Sequence, residues 1–262
     1  MFISLSQMEK EYLEGEIKIN NRLVVISGPS GVGKGMIIDW MLKLSFPEFY
    51  NKNERYRKDK RDLCIVPVYK VERGAGGNAG QSVYGRSNSK NTYPFNCRGK
   101  DQEIDLDELD KAIENHQTTV IEAYYKAFDF LRNSYSASVD FASTFVSPLD
   151  AEEIKELNEQ RSLENYLPDL MLDSLVRRAE RDGKAFSRAL IRELEQRAED
   201  SVNEIKIAHN YRQVIPNHCY ESDSRWRLPI LIGEPLKVVM SLRDIVERGK
   251  NDYANSREEY KF

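Results

Sequence analysis

Five short apolar runs rich in β-branched residues are spaced along the chain, and most of the intervals between them carry apolar residues every three or four positions. The runs are Leu23-Val24-Val25-Ile26-Ser27, Leu63-Cys64-Ile65-Val66-Pro67-Val68-Tyr69, Thr118-Thr119-Val120-Ile121-Glu122, Phe141-Ala142-Ser143-Thr144-Phe145-Val146 and Gln213-Val214-Ile215-Pro216. Near-continuous apolarity over so few residues predicts strands buried on both faces. Helical spacing follows the first run over 36–44, recurs over 105–115, dominates 151–208 and closes the pattern over 234–248. Ile191, Leu194, Ala198, Val202 and Ile205 form one apolar stripe with charges elsewhere, the signature of a helix packed on one side. Ser147-Pro148-Leu149-Asp150 supplies a stop and a helix N-cap. Strands alternating with helices predict an α/β fold, a parallel sheet covered by helices on both faces with ligands at the strand C-termini.

The intervals that break the pattern are as telling. Glycine, serine and asparagine crowd 74–98, which predicts a long irregular segment of the kind that serves as a lid or binding loop. The dense charges of 51–62 fit a solvated loop or a basic rim near phosphates. Residues 6–21 read as an amphipathic lead-in, and 251–262 as a charged, disordered tail. The expected organisation is one domain over 1–250. Its core is 20–66, 116–160 and 186–250, with an insert over about 67–115 and a helical segment over about 161–190.

Composition narrows the function. A net charge of −4 over 262 residues argues against general nucleic-acid binding, which needs a strongly basic face. No apolar stretch is long enough to span a membrane, and the apolar start Met1-Phe2-Ile3-Ser4-Leu5 is too short for a signal-peptide core. Three widely spaced cysteines, Cys64, Cys97 and Cys219, fit reduced thiols in a cytoplasmic protein. No histidine is spaced with a cysteine as in a metal ligand set, so no metal-binding residues are assigned.

Chemistry enters at Gly28-Pro29-Ser30-Gly31-Val32-Gly33-Lys34, placed between the first predicted strand and the first predicted helix. Glycines at this spacing let successive backbone N–H groups turn inward on a polyphosphate, and the lysine reaches its outer phosphates. The following helix presents its positive end to the same anion. Gly28, Ser30, Gly31, Val32, Gly33, Lys34, Gly35 and Met36 are therefore the expected nucleotide-binding residues, with ATP and Mg²⁺ as cofactors.

With those residues in view, the chain resembles the guanylate kinase family. The resemblance implies that the unit over 1–250 is a P-loop kinase-like domain with a P-loop kinase core, an acceptor-binding insert over about 67–115 and a helical lid over about 161–190. The likeness is specific over Val24 to Gly35, which includes Ser-Gly-Pro-Ser-Gly, and looser beyond it. The stretch from Phe145 to Ile154 is similar to the family's strand, proline and acidic helix start. Arg177-Arg178-Ala179-Glu180-Arg181 sits where the family has lid arginines. Arg197, Ser201 and Glu204 follow the spacing of its Arg-x-x-x-Ala-x-x-Glu helix. Val214-Ile215-Pro216-Asn217 is similar to its closing strand, which implies that Asn217 lies near the adenine. Two departures stand out. Met36 replaces the hydroxyl residue that helps hold Mg²⁺. The guanylate-reading block, Ser-x-Thr-Thr-Arg-x-Pro-Arg-x-Gly-Glu, falls on Pro67 to Gly74, where only Lys70 and Arg73 keep its basic character.

Phosphoryl transfer asks a protein for positioning and charge neutralisation. Lys34, Arg178, Arg188 and Glu122 are the expected catalytic residues, and Arg177 a further nucleotide contact. Two readings stand for the arginines: a lid closing on the phosphoryl group, or solvated helix charges paired with Glu180, Glu193 and Glu195. Glu122, at a strand end, either orients Mg²⁺ and the acceptor or caps a neighbouring helix. Lys70, Arg73, Tyr84 and Arg86 are the acceptor-phosphate candidates. The expected activity is transfer from ATP to a nucleoside monophosphate or similar phosphorylated small molecule. The alternative is a catalytically silent module that binds a nucleotide or partner. An NTP hydrolase or switch would want an Asp-ended strand and a water-positioning residue, and neither is identifiable.

Overall fold

The computed structural model describes residues 21–45, 63–70, 89–251 and 255–260. Strand β1 (Arg22–Ser27) runs through the centre of a sheet, and α1 (Lys34–Ser45) follows directly from its loop. Strands β2 (Leu63–Val66), β6 (Thr118–Glu122), β7 (Asp140–Ser147) and β8 (Gln213–Pro216) join β1 in the order β2-β6-β1-β7-β8, all parallel. The five expected apolar runs are these five strands, except that the second stops at Val66, where Pro67 can donate no ladder hydrogen bond.

Side-chain alternation along β1 divides the core. Leu23 and Val25 pack on one face with α2 (Leu106–Asn115), α3 (Tyr125–Tyr135), α4 (Ala151–Glu159), α5 (Leu163–Arg181) and α6 (Arg188–Lys206). Val24 and Ile26 pack on the other with α1 and α7 (Gly233–Arg248). A parallel sheet must be covered twice in this way, because both faces of its strands are apolar. The result is the expected α/β core, a parallel sheet covered by helices on both faces.

Three segments differ from the sequence reading. Residues 92–97, expected to be irregular, form β4 (Thr92–Cys97), which pairs antiparallel with β5 (Lys100–Asp105). Tyr69–Lys70 (β3) pairs with the far side of β5, making a second, three-stranded sheet. These strands are polar and bury only alternate ends, such as Phe95, Cys97 and Ile104, so they lack the continuous apolar run that marked the others. The long helical stretch 151–208 is three helices, interrupted where Arg161 (φ 52°) and Gly183 (φ 66°) turn left-handed. The expected tail instead adds β9 (Asn255–Ser256) antiparallel to β8, and Tyr260 is fully buried with its hydroxyl on the Leu149 carbonyl at 3.3 Å.

Candidate active site: a phosphate loop facing a second sheet

The loop leaving β1 is shaped by contacts that exclude side chains. Gly28 has φ 142°, and a Cβ there would lie 2.3 Å from the Val146 carbonyl oxygen of β7. Gly31 and Gly33 also sit at positive φ, 88° and 94°. Three carbonyls of the loop are held from outside or within. Ser174 Oγ on α5 and the Glu221 backbone N–H both donate to Gly31 O, each at 3.0 Å. Asn217 Nδ2 donates to Val32 O at 2.6 Å. Ile37 N–H donates to Gly33 O at 3.0 Å, opening α1. The remaining atoms of Asn217 are engaged with Cys219 and Ser147, and its side chain is fully buried.

Lys34 folds back over this cradle. Its ammonium donates to Gly28 O at 2.6 Å and Pro29 O at 2.9 Å and stands 4.0 Å from Glu122 at the end of β6. Burial pushes its pKa below the ordinary lysine value, and Glu122 pulls the other way. Lys34 and Glu122, two of the four expected catalytic residues, thus line one cleft of about 220 Å³ with Gly28 and Ser30. Its far wall is the second sheet, represented by Arg98 and Gln102.

Arg197 on α6 closes the cleft from the side. Its guanidinium reaches Ser30 Oγ at 3.3 and 3.4 Å and Glu193 at 3.7 Å, all long contacts for so strong a donor. Burial, then the nearby positive charges of Arg178 and Arg98, push its pKa below the usual arginine value. Arg98 at the β4–β5 turn is paired with Asp200 at 3.1 Å and with Glu204. Burial lifts the Glu204 carboxyl to about 7 against the pull of Arg98.

The other expected arginines stand further out. Arg178 is bonded to Glu221 at 2.9 Å, the residue whose N–H holds Gly31, so it braces the loop from behind. Arg177 is exposed and paired with Asp173 one turn back. Arg188 is exposed in the first turn of α6, and the cleft is lined by Arg98 and Arg197 rather than by these three. Gly35 and Met36 occupy the first turn of α1, where Met36 rests partly buried against the core. Lys70 lies opposite Gln102 in the β3–β5 register, while Arg73, Tyr84 and Arg86 fall outside the described residues. Arg98 carried no sequence signal, because it belongs to a stretch that read as irregular. Arg197 had one, its spacing to Glu204.

The chain does not match any family model, and no curated protein matches it in sequence. Among solved structures it is similar to the guanylate kinase from Anaplasma phagocytophilum, with 11% identity and a TM-score of 0.47 over 92% of this chain and 93% of that one.

Proposed function

We propose that the protein transfers the γ-phosphoryl group of ATP to a phosphorylated small molecule, a nucleoside monophosphate being the leading class. The observation that carries this reading is the unspent charge around the loop. Lys34 is desolvated with only loop carbonyls at hydrogen-bond distance, and Arg197 makes only long contacts beside it. Phosphate oxygens would replace these neutral carbonyl and hydroxyl acceptors with anionic ones, so that both partners of each hydrogen bond carry charge.

In this reading the N–H groups of residues 31–35 and the start of α1 hold the β-phosphate. Lys34 moves from the carbonyls to the outer phosphates, and Arg197 neutralises charge that grows on the transferring group. Glu122 accepts a hydrogen bond from the acceptor. Magnesium, when bound, would offset phosphate charge. Met36 would offer it no oxygen, and Glu122, which lines the cleft beside Lys34, would be the acid to hold its waters.

The test is ADP release with a panel of nucleoside and sugar monophosphates. Lys34→Ala is expected to keep the fold and lose about 100-fold or more in turnover, the scale seen when a key electrostatic donor is removed. Undiminished turnover in folded Lys34→Ala would refute the reading. GMP is expected to be a poor acceptor, because Pro67, Val68, Tyr69 and Val71 replace a base-reading set of hydroxyls and arginines. Met36 also favours a second reading, a silent binding module. ATP binding without ADP release from any panel member would establish that one.

A further inference from the structure

The β4–β5 hairpin turns on two residues, Arg98 at φ 53° and Gly99 at φ 75°, with Cys97 paired to Lys100 across it. Two positive φ values in a two-residue loop make a type I′ turn, whose first position favours Asn, Asp or Gly. A left-handed arginine is out of place there unless its side chain has a task.

The side chain is fixed along one edge and one face. Nε donates to Asp200 at 3.1 Å and Nη2 to Glu204, both on α6. The Tyr124 ring lies 4.7 Å from the guanidinium carbon, and the Tyr124 hydroxyl donates to Asp200. Nη1 is left with the Cys97 sulfur at 3.5 Å, a weak acceptor. Arg98, Cys97, Gln102 and Arg197 line both the 220 Å³ cleft and an adjoining cavity of about 360 Å³, so the two spaces meet at the two arginines. The second cavity adds Lys100, Glu193 and Gln196, with Lys100 and Glu193 paired to each other at 2.8 Å, so its wall mixes polar heads with the apolar stems that carry them.

We infer that Arg98 is the preset half of a two-arginine clamp, completed by Arg197, for the phosphate of a small phosphomonoester whose organic part occupies the second cavity. A guanidinium already held by two carboxylates and a ring needs little reorganisation to receive an anion on its remaining edge. The planar fork also suits a phosphate better than an ammonium would. The direction of the ligand, phosphate toward Lys34, rests on the phosphotransferase reading; the binding itself does not.

Isothermal titration separates this role from a mere tie between the hairpin and α6. The probes are inorganic phosphate, a panel of nucleoside monophosphates and ribose 5-phosphate, the matching unphosphorylated nucleosides, and a non-hydrolysable ATP analogue. The main variant is Arg98→Asn combined with Glu204→Gln, which suits the turn and removes the fully buried carboxylate that would lose its arginine, while Asp200 keeps the Tyr124 hydroxyl. It is expected to weaken phosphomonoester binding about tenfold or more while leaving the ATP analogue within about threefold, as loss of a charged contact confined to one subsite should. Arg98→Lys keeps the charge without the fork. It is expected to weaken the same ligands, and it supplies the comparison if the double variant fails to fold. Equal phosphomonoester affinity in wild type and a folded variant would overturn the clamp, as would a wild type that binds no phosphomonoester of the panel. Arg98-dependent binding without any ADP release would refute the phosphotransferase reading and leave the clamp standing. Transfer undisturbed in the double variant would do the reverse.

Discussion

At the residue scale the loop between β1 and α1 is decided by single atoms that must be absent or must be paired. Gly28 is the sharpest case, since an added Cβ meets backbone at 2.3 Å and the residue also has φ 142°. Backbone cannot yield as a flexible side chain does, so Gly28→Ala is expected to cost about 2–4 kcal/mol from combined overpacking and backbone strain. Urea unfolding of the variant checks it, and a loss below about 0.5 kcal/mol, the range of an ordinary surface substitution, would contradict the geometry. The need for glycine here was legible from the loop spacing. The part played by Asn217 was not. The resemblance implies a place beside the adenine; the side-chain hydrogen bonds, to Val32 and Cys219, add that it braces the loop. An amide's partner over such a sequence separation leaves no local pattern to read.

At the element scale, helix starts are tied together by His218 just beyond β8. Nε2 lies 2.8 Å from Glu153 in the capping box of α4, and Nδ1 lies 2.9 Å from Glu234 in the first turn of α7. Burial alone would lower the imidazole pKa, but hydrogen bonds and charge from the two carboxylates outweigh it and hold the pKa above the ordinary 6.5. A raised folded-state pKa means that the native state holds the proton more tightly. The clamp therefore contributes fully below pH 6.5 and fades as pH rises through the folded value. The midpoint difference between wild type and His218→Gln is expected to shrink as pH rises across about 5 to 9, the range in which a perturbed histidine titrates. Parallel melting profiles over that range would rule the clamp out. The capping signal at Asp150 was visible in the sequence, but its link to α7 was not. Helix α3 and strands β4 and β5 also escaped the pattern. Their apolar positions are sparse, and each buries its few large side chains against a neighbouring element.

At the scale of the whole molecule, the glycine-rich loop and the three-stranded sheet face one another across the cleft, with α5 and α6 alongside. A ligand bound there touches several elements at once and should stabilise the folded state as a unit. ATP at about 100 times its dissociation constant is expected to add ~2.7 kcal/mol by mass action. The check is a thermal midpoint that climbs with ATP in wild type and stays flat in Lys34→Ala. A wild-type midpoint indifferent to ATP would contradict the assignment of the loop.

What the sequence determined by itself was whatever depends on neighbours in the chain. Buried parallel strands are apolar throughout, amphipathic helices repeat every three or four residues, and a phosphate cradle needs its glycines and lysine at fixed spacing. Those local rules were enough for the α/β core, its strand positions and the loop between β1 and α1. Only the tertiary structure decided what depends on residues far apart in sequence. The polar β4–β5 sheet is stable because it packs on α2 and α3, and residues 255–256 are a strand because β8 has an open edge for them. Arg98 and Arg197 become one site because a hairpin and a helix meet at the cleft, and charge brought together through space leaves no periodicity to read.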